Sequence, residues 1–129
     1  MATRIFLVLS ALLWLPYGVY CFAQPGSLAD AAGVAFQSPT GSTELRAMYG
    51  GLQIAIGALA GLAAWRAALA RSALLAIAFL TAGLGSARLL GVAIDGGLSS
   101  YTATGLGFEL TSVAVATLLL RRSPAPIAV

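Results

Sequence analysis

The sequence predicts an all-α protein, a four-helix transmembrane up-and-down bundle, on three observations. Hydrophobic side chains make up 60% of its 129 residues and charged ones 9%, with a mean hydropathy of +0.95, well outside the range of soluble domains. Apolar runs of about 20 residues, the length a bilayer core requires, occur four times, over about 5–22, 43–65, 72–95 and 102–120. Most of the arginines then fall on one side of the bundle those runs would form. Residues 1–129 therefore read as a single integral-membrane domain in contact with the lipid bilayer.

The first run follows Arg4 and continues unbroken to Phe22. A cleaved signal peptide is the competing reading for residues 1–23, but the length of the run favours a retained span, and Tyr20 is too bulky to precede a lipoprotein cysteine at Cys21. Pro16 should kink this helix by freeing the Leu12 carbonyl. The connection over 23–42 has two readings. Ser27-Leu28-Ala29-Asp30 resembles a capping box, and Leu28, Ala31, Ala35 and Phe36 recur at helical spacing, which predicts a short interfacial helix over the outer end of the bundle. The small residues of the same segment fit an irregular loop equally well.

The second and third spans carry Gly57-x-x-x-Gly61 and Gly83-x-x-x-Ala87-x-x-x-Gly91, spacings that allow close helix contact. Packing within one subunit is the first reading, and a homo-oligomer is the other. Gly96-Gly97 should end the third span. Arg4, Arg66, Arg71, Arg121 and Arg122 fall together at one end of the bundle, which the positive-inside rule makes cytoplasmic. Both termini are therefore expected in the cytoplasm.

Composition also excludes several functions. All seven cations are arginine and histidine is absent, so no basic cluster is rich enough to follow nucleic acid. The single cysteine, Cys21, rules out an internal disulfide and a CxxC redox pair, and without histidine no zinc site can be built. No metal and no cofactor are expected.

Two arginines, Arg46 and Arg88, are left unexplained by topology, and Glu44, Asp95 and Glu109 accompany them. At about 3.6 residues per turn, Arg46, Tyr49, Gly50, Gln53 and Gly57 share a helix face. So do Thr81, Gly85, Arg88, Gly91 and Asp95, and likewise Thr102, Gly105, Glu109, Ser112 and Ala116. Three polar stripes are best placed facing a shared interior, with the leucines in lipid. Counting about 1.5 Å per residue from the outer ends puts Arg46 and Asp95 roughly 5 Å deep, and Arg88 and Glu109 roughly 12 to 15 Å. Two ion pairs are therefore expected: an outer Arg46–Asp95 pair, in which each relieves the other's unfavourable helix dipole, and a deeper Arg88–Glu109 pair. Glu44 sits in a first turn that favours a carboxylate and points elsewhere.

Four ionised groups at such depth cost on the order of 10 kcal/mol before pairing. Two readings account for them. Salt bridges can fix helix register in a bundle that has no hydrophobic drive to associate. Alternatively, their crowding into the outer half marks a pocket open to the outside.

The stretches TELRAMYGGLQIAIG and ARLLGVAIDG, the glutamate of GFEL and the closing LLLRR resemble the bacterial four-helix membrane family catalogued as domain of unknown function 4345, which is similar to the DoxX-like proteins. The resemblance implies a four-helix bundle with Glu44, Arg46, Tyr49, Gly50, Arg88, Asp95 and Glu109 at the family's motif positions. With the arginine-rich end on the cytoplasmic side, it implies a bacterial inner (cytoplasmic) membrane as the location, and it implies no activity.

Three kinds of function fit these residues. A small apolar or amphipathic molecule could bind Arg46, Tyr49, Gln53, Arg88, Asp95 and Glu109, with Trp14 and Tyr17 walling its apolar end. A catalytic version, isomerase-like or cyclase-like, would use Glu109 or Asp95 as acid or base and Tyr49 as proton donor. It ranks lower, because neighbouring arginines oppose the raised carboxylate pKa that it needs. A proton-coupled exporter built on Glu109 and an accessory subunit of a larger membrane complex complete the alternatives.

Overall fold

The structure, a computed structural model, describes residues 1–122. They form six α-helices and no strand: α1 (Ala2–Ala23), α2 (Ser27–Ala32), α3 (Pro39–Leu45), α4 (Leu52–Trp65), α5 (Ala67–Asp95) and α6 (Ser100–Arg122). A π-helical turn, Arg46–Gly51, joins α3 to α4 without a break. The segments Ala2–Ala23, Pro39–Trp65, Ala67–Asp95 and Ser100–Arg122 are each long and apolar enough to cross a bilayer. The protein is a multi-pass integral membrane protein of all-α fold.

Every span is longer than the hydropathy boundaries. The second begins four residues early because Ser38 caps it, its hydroxyl accepting from the Gly41 amide, while Pro39 takes the first helical position, where no N–H is needed. The second connection, expected over 66–71, shrinks to Arg66 alone, whose extended backbone (φ −110°, ψ 94°) separates α4 from α5. Nothing after it resists helix, since Ala67-Ala68-Leu69-Ala70 are strong helix formers. Pro16 lies inside α1, which stays helical on both sides of it. Gly96 ends α5 at φ 70°, as the diglycine predicted.

The short helix expected in the 23–42 connection is present but differs from its signature. α2 closes at Gly33 in the left-handed region, leaving Ala35 and Phe36 outside it. Ser27 is its first residue rather than its cap, and the hydroxyl donates backward to the Gln24 carbonyl. Leu28 fastens α2, being 2% exposed.

In lipid, helices gain little by hiding apolar surface from one another, so association depends on close approach. α1 packs along α4 and the π turn, α5 packs along α6, and the two pairs meet chiefly where α4 adjoins α5. Gly18, Gly50 and Gly57 remove the side chains that would hold α1 and α4 apart. A Cβ on Gly50 would lie 2.7 Å from the Phe22 Cβ, and one on Gly18 would lie 2.7 Å from the Ile54 amide nitrogen. The apolar core, including Leu7, Ile56, Ala60, Leu74, Ile77 and Leu119, fills the half of the bundle nearer Arg4, Arg66 and Arg121. The buried Gln53 and Glu109 lie in the other half, with Ser10, Thr81 and Ser112 nearer the middle.

The α5 spacing behaves otherwise. A Cβ on Gly83 or Gly91 meets nothing within 4 Å, and Ala87 is exposed, so this stripe takes no part in packing within the chain. Gly83→Ala is accordingly expected to leave thermal stability in detergent unchanged or to raise it by up to about 1 kcal/mol through helix propensity. A marked loss would mean that another helix lies against this face.

Candidate functional site

Glu109 on α6 is 3% exposed, a position a carboxylate can hold only with strong partners. Arg88 of α5 supplies them. Its Nη2 donates to Glu109 Oε1 at 2.8 Å, and its Nε lies 3.2 and 3.1 Å from Oε1 and Oε2. This is the deeper pair the helical count predicted, and the only ion pair among the described residues. The guanidinium rests against bare backbone: a Cβ on Gly105 would stand 3.1 Å from Arg88 Cζ. Glu109 likewise uses the space over Gly85, whose added Cβ would meet the Glu109 Cβ at 3.5 Å. The glycines of these polar stripes thus make room for ionic side chains.

The expected outer pair does not form. Arg46 Nη1 donates to the carbonyl oxygen of Phe22, and the guanidinium lies over the Phe22 ring, 5.5 Å from its centroid. Arg46 therefore satisfies one of the carbonyls left open at the end of α1, where a cation is favoured by the helix dipole. The reason for the difference is the direction of the stripe. Arg46 and Gly50 both lie against Phe22 of α1, so the face that was expected to look toward α5 looks toward α1 instead. The π turn, with the Leu52 amide donating to Ala47, lies within this stretch. Asp95 is exposed at the end of α5 and has no ion pair among the described residues. Glu44 is exposed, as expected.

The α4 stripe faces α1 rather than an open interior. Gln53 packs beside Gly18 and is 7% exposed, and Trp14 reaches across Gly57 to meet Phe108 of α6 edge-on, with ring centroids 5.3 Å apart. Both carry a polar atom without a partner: Gln53 Oε1 and Trp14 Nε1 are buried and make no hydrogen bond. Native proteins leave few such groups, so each needs an explanation. Nearer the end of the bundle opposite Arg4, Tyr17 of α1 and Tyr101 of α6 share a hydrogen bond of 2.9 Å. Ser10, Thr81 and Ser112 are buried at greater depth, and the Thr81 hydroxyl is returned to the Ile77 carbonyl.

Sequence reasoning thus brought Arg88, Glu109, Gln53 and Tyr49 to the right half of the bundle. It missed the Tyr17–Tyr101 bridge and the orphaned indole N–H. A buried Trp facing small residues across a helix pair was the available signal for the latter. Among the described residues no group of histidine, cysteine, aspartate or glutamate could hold a metal ion.

A family model described as Domain of unknown function (DUF4345) matches residues 2–120. The chain belongs to the DUF4345 family. Comparison with curated proteins and with solved structures finds no match, and the DoxX-like relationship is not confirmed. The match places both partners of the Arg88–Glu109 pair, with Trp14 and Gln53, inside the DUF4345 domain.

A second feature adjoins this polar cluster in the DUF4345 fold. A groove of about 480 Å3 runs between α1 and α6, lined by Ile5, Leu9, Leu13, Phe108, Val115 and Leu119 among others. Its walls are almost wholly apolar, and it ends at Phe108, the ring that touches Trp14.

Proposed function

We propose that this protein is an intramembrane binding protein for a small, uncharged amphipathic molecule. The polar end of the ligand would be received by Gln53, Trp14 and the free edge of Arg88, and its apolar end by the α1–α6 groove. The observation that carries this reading is the pair of buried, unpartnered atoms, an acceptor on Gln53 and a donor on Trp14. A guest with one donor and one acceptor, such as a hydroxyl-bearing carbonyl compound, would satisfy both. Arg88 adds to the argument. Two of its nitrogens are used on Glu109, and its side chain is 27% exposed. Because Glu109 already balances its charge, a neutral acceptor suits Arg88 better than an anion.

Binding ranks above catalysis on the same geometry. Both Glu109 oxygens accept from Arg88, so the carboxylate is engaged as an anchor rather than left to take a substrate proton. Tyr49 belongs to the proposed lining, whereas Arg46, taken by the Phe22 carbonyl, and the exposed Asp95 do not.

The test is mass spectrometry of protein extracted in mild detergent. A near-stoichiometric, non-phospholipid species is expected in the native protein, with occupancy lowered about tenfold by Gln53→Leu, the effect of losing one buried hydrogen bond. Recovery of phospholipid alone, or equal occupancy in Gln53→Leu, would reduce the cluster to a hydrated structural core.

We infer in addition that the arginine-bearing end faces the cytoplasm of a bacterial cell, on the positive-inside rule. In a Cys21→Ser background, Ser99→Cys should react with a membrane-impermeant maleimide on intact cells and Ser72→Cys should not. The reverse pattern would invert the topology.

A further inference from the structure

A cavity of about 470 Å3 opens at the arginine-bearing end of the bundle, far from Arg88 and Glu109, between the start of α1 and the α4–α5 connection. Arg4, Trp65, Ala67 and Ala70 wall it, with Leu7 and Ala63 among its lining. The Arg4 guanidinium lies over the Trp65 indole, 5.1 Å from the ring centroid, and Arg4 has no acidic partner among the described residues. Nor does an acid lie nearby in the fold. Asp30, Glu44 and Asp95 belong to the opposite end, and Glu109 is committed to Arg88. Arg66, Arg121 and Arg122 are exposed at the same end, so the cavity sits in a positive field that no acidic side chain among the described residues offsets. The first turns of α1 and α5, which border it, contain no acidic residue and no side-chain cap, and their two positive dipole ends outnumber the one negative end that α4 brings at Trp65.

We propose that this cavity binds the headgroup of an anionic phospholipid from the surrounding leaflet. Its phosphate would pair with Arg4, its glycerol and ester region would lie against Trp65, and its chains would leave along the lipid-facing side of α1. Three features select a lipid rather than a free anion. The lining is largely apolar, which a solvated phosphate would not use. Trp65 is 80% exposed at the end of a span, where indoles settle at headgroup level. The end-on position at the membrane surface also matches the depth of lipid phosphates, where basic pockets between helices recruit anionic headgroups.

The experiment compares retention of added phosphatidylglycerol and phosphatidylcholine on the full-length protein by native mass spectrometry. Phosphatidylglycerol is expected to be retained preferentially. Arg4→Gln should reduce that preference about fivefold, while Arg122→Gln should leave it within about twofold, the difference between a pairing charge and a bystander. A second measurement removes dependence on extraction: with Trp14→Phe leaving Trp65 as the sole indole, brominated phosphatidylglycerol in nanodiscs should quench its fluorescence more than brominated phosphatidylcholine at equal fraction. Equal retention and quenching by the two lipids would overturn the proposal. So would equal losses in Arg4→Gln and Arg122→Gln, which would show a diffuse surface charge, or displacement of the lipid by millimolar inorganic phosphate, which would show a free-anion site.

Discussion

Glu109→Leu is expected to lower stability by about 3 to 5 kcal/mol, the range for stranding one member of a buried ion pair. The substitution removes the acceptor for Arg88 Nε and Nη2 and leaves a guanidinium inside the bundle with no counter-charge among the described residues. Arg88 is 27% exposed, but in a membrane that exposure faces lipid or a polar guest rather than bulk water, so solvent rescues little of the loss. The double variant Arg88→Met, Glu109→Leu should recover most of the stability, because the desolvation of both charges disappears together. Thermal unfolding in a fixed detergent reads all three states. Full recovery in the double variant, combined with loss of the extracted ligand, would mean that the pair is kept for binding and not for register. If Glu109→Leu alone were neutral, the pair would be incidental to both.

That pair was legible in the sequence for a specific physical reason. Arg88 and Glu109 both sit in uninterrupted α-helix, so a fixed rise and a fixed rotation per residue carry from the helix ends to the site. The same arithmetic gave Arg46 the wrong partner, because it fixes which residues share a face but not which helix that face meets: Arg46 and Gly50 both lie against Phe22 of α1. Its true partner, a main-chain carbonyl at the end of α1, also belongs to a class of acceptor that residue types do not advertise. Pattern reading left a short helix and an irregular loop equally open over 23–42; α2 forms, but Ala35 and Phe36 lie beyond it and Ser27 is its first residue rather than its cap. The Tyr17–Tyr101 bond could not be read at all. It joins residues 84 apart on helices whose adjacency depends on how the two hairpins dock.

Gly57→Ala is expected to destabilise by about 1 to 3 kcal/mol, and Gly57→Leu by more, whereas Gly61→Ala should be neutral or mildly stabilising. The sequence presents these two glycines as equal members of one small-residue motif, and the structure separates them. A Cβ on Gly57 would come within 2.7 Å of both the Leu15 amide nitrogen and the Leu15 Cγ, and within 3.1 Å of the Trp14 Cβ. A side chain can rotate away from such a contact, but the backbone nitrogen can withdraw only if α1 moves off α4. One on Gly61 would stand 3.6 Å from the Ala11 Cβ, an ordinary contact that adds dispersion and relieves the glycine's conformational freedom. The displacement in Gly57→Ala would be felt one turn away, because Trp14 is the residue that carries the α1–α4 contact to Phe108 on α6. Ligand occupancy should therefore fall along with stability in Gly57→Ala and stay unchanged in Gly61→Ala. A Gly57→Ala protein that unfolds at the native temperature would show that α1 and α4 are not held at glycine distance in the membrane, and the geometry assigned to Trp14 and Gln53 would go with it.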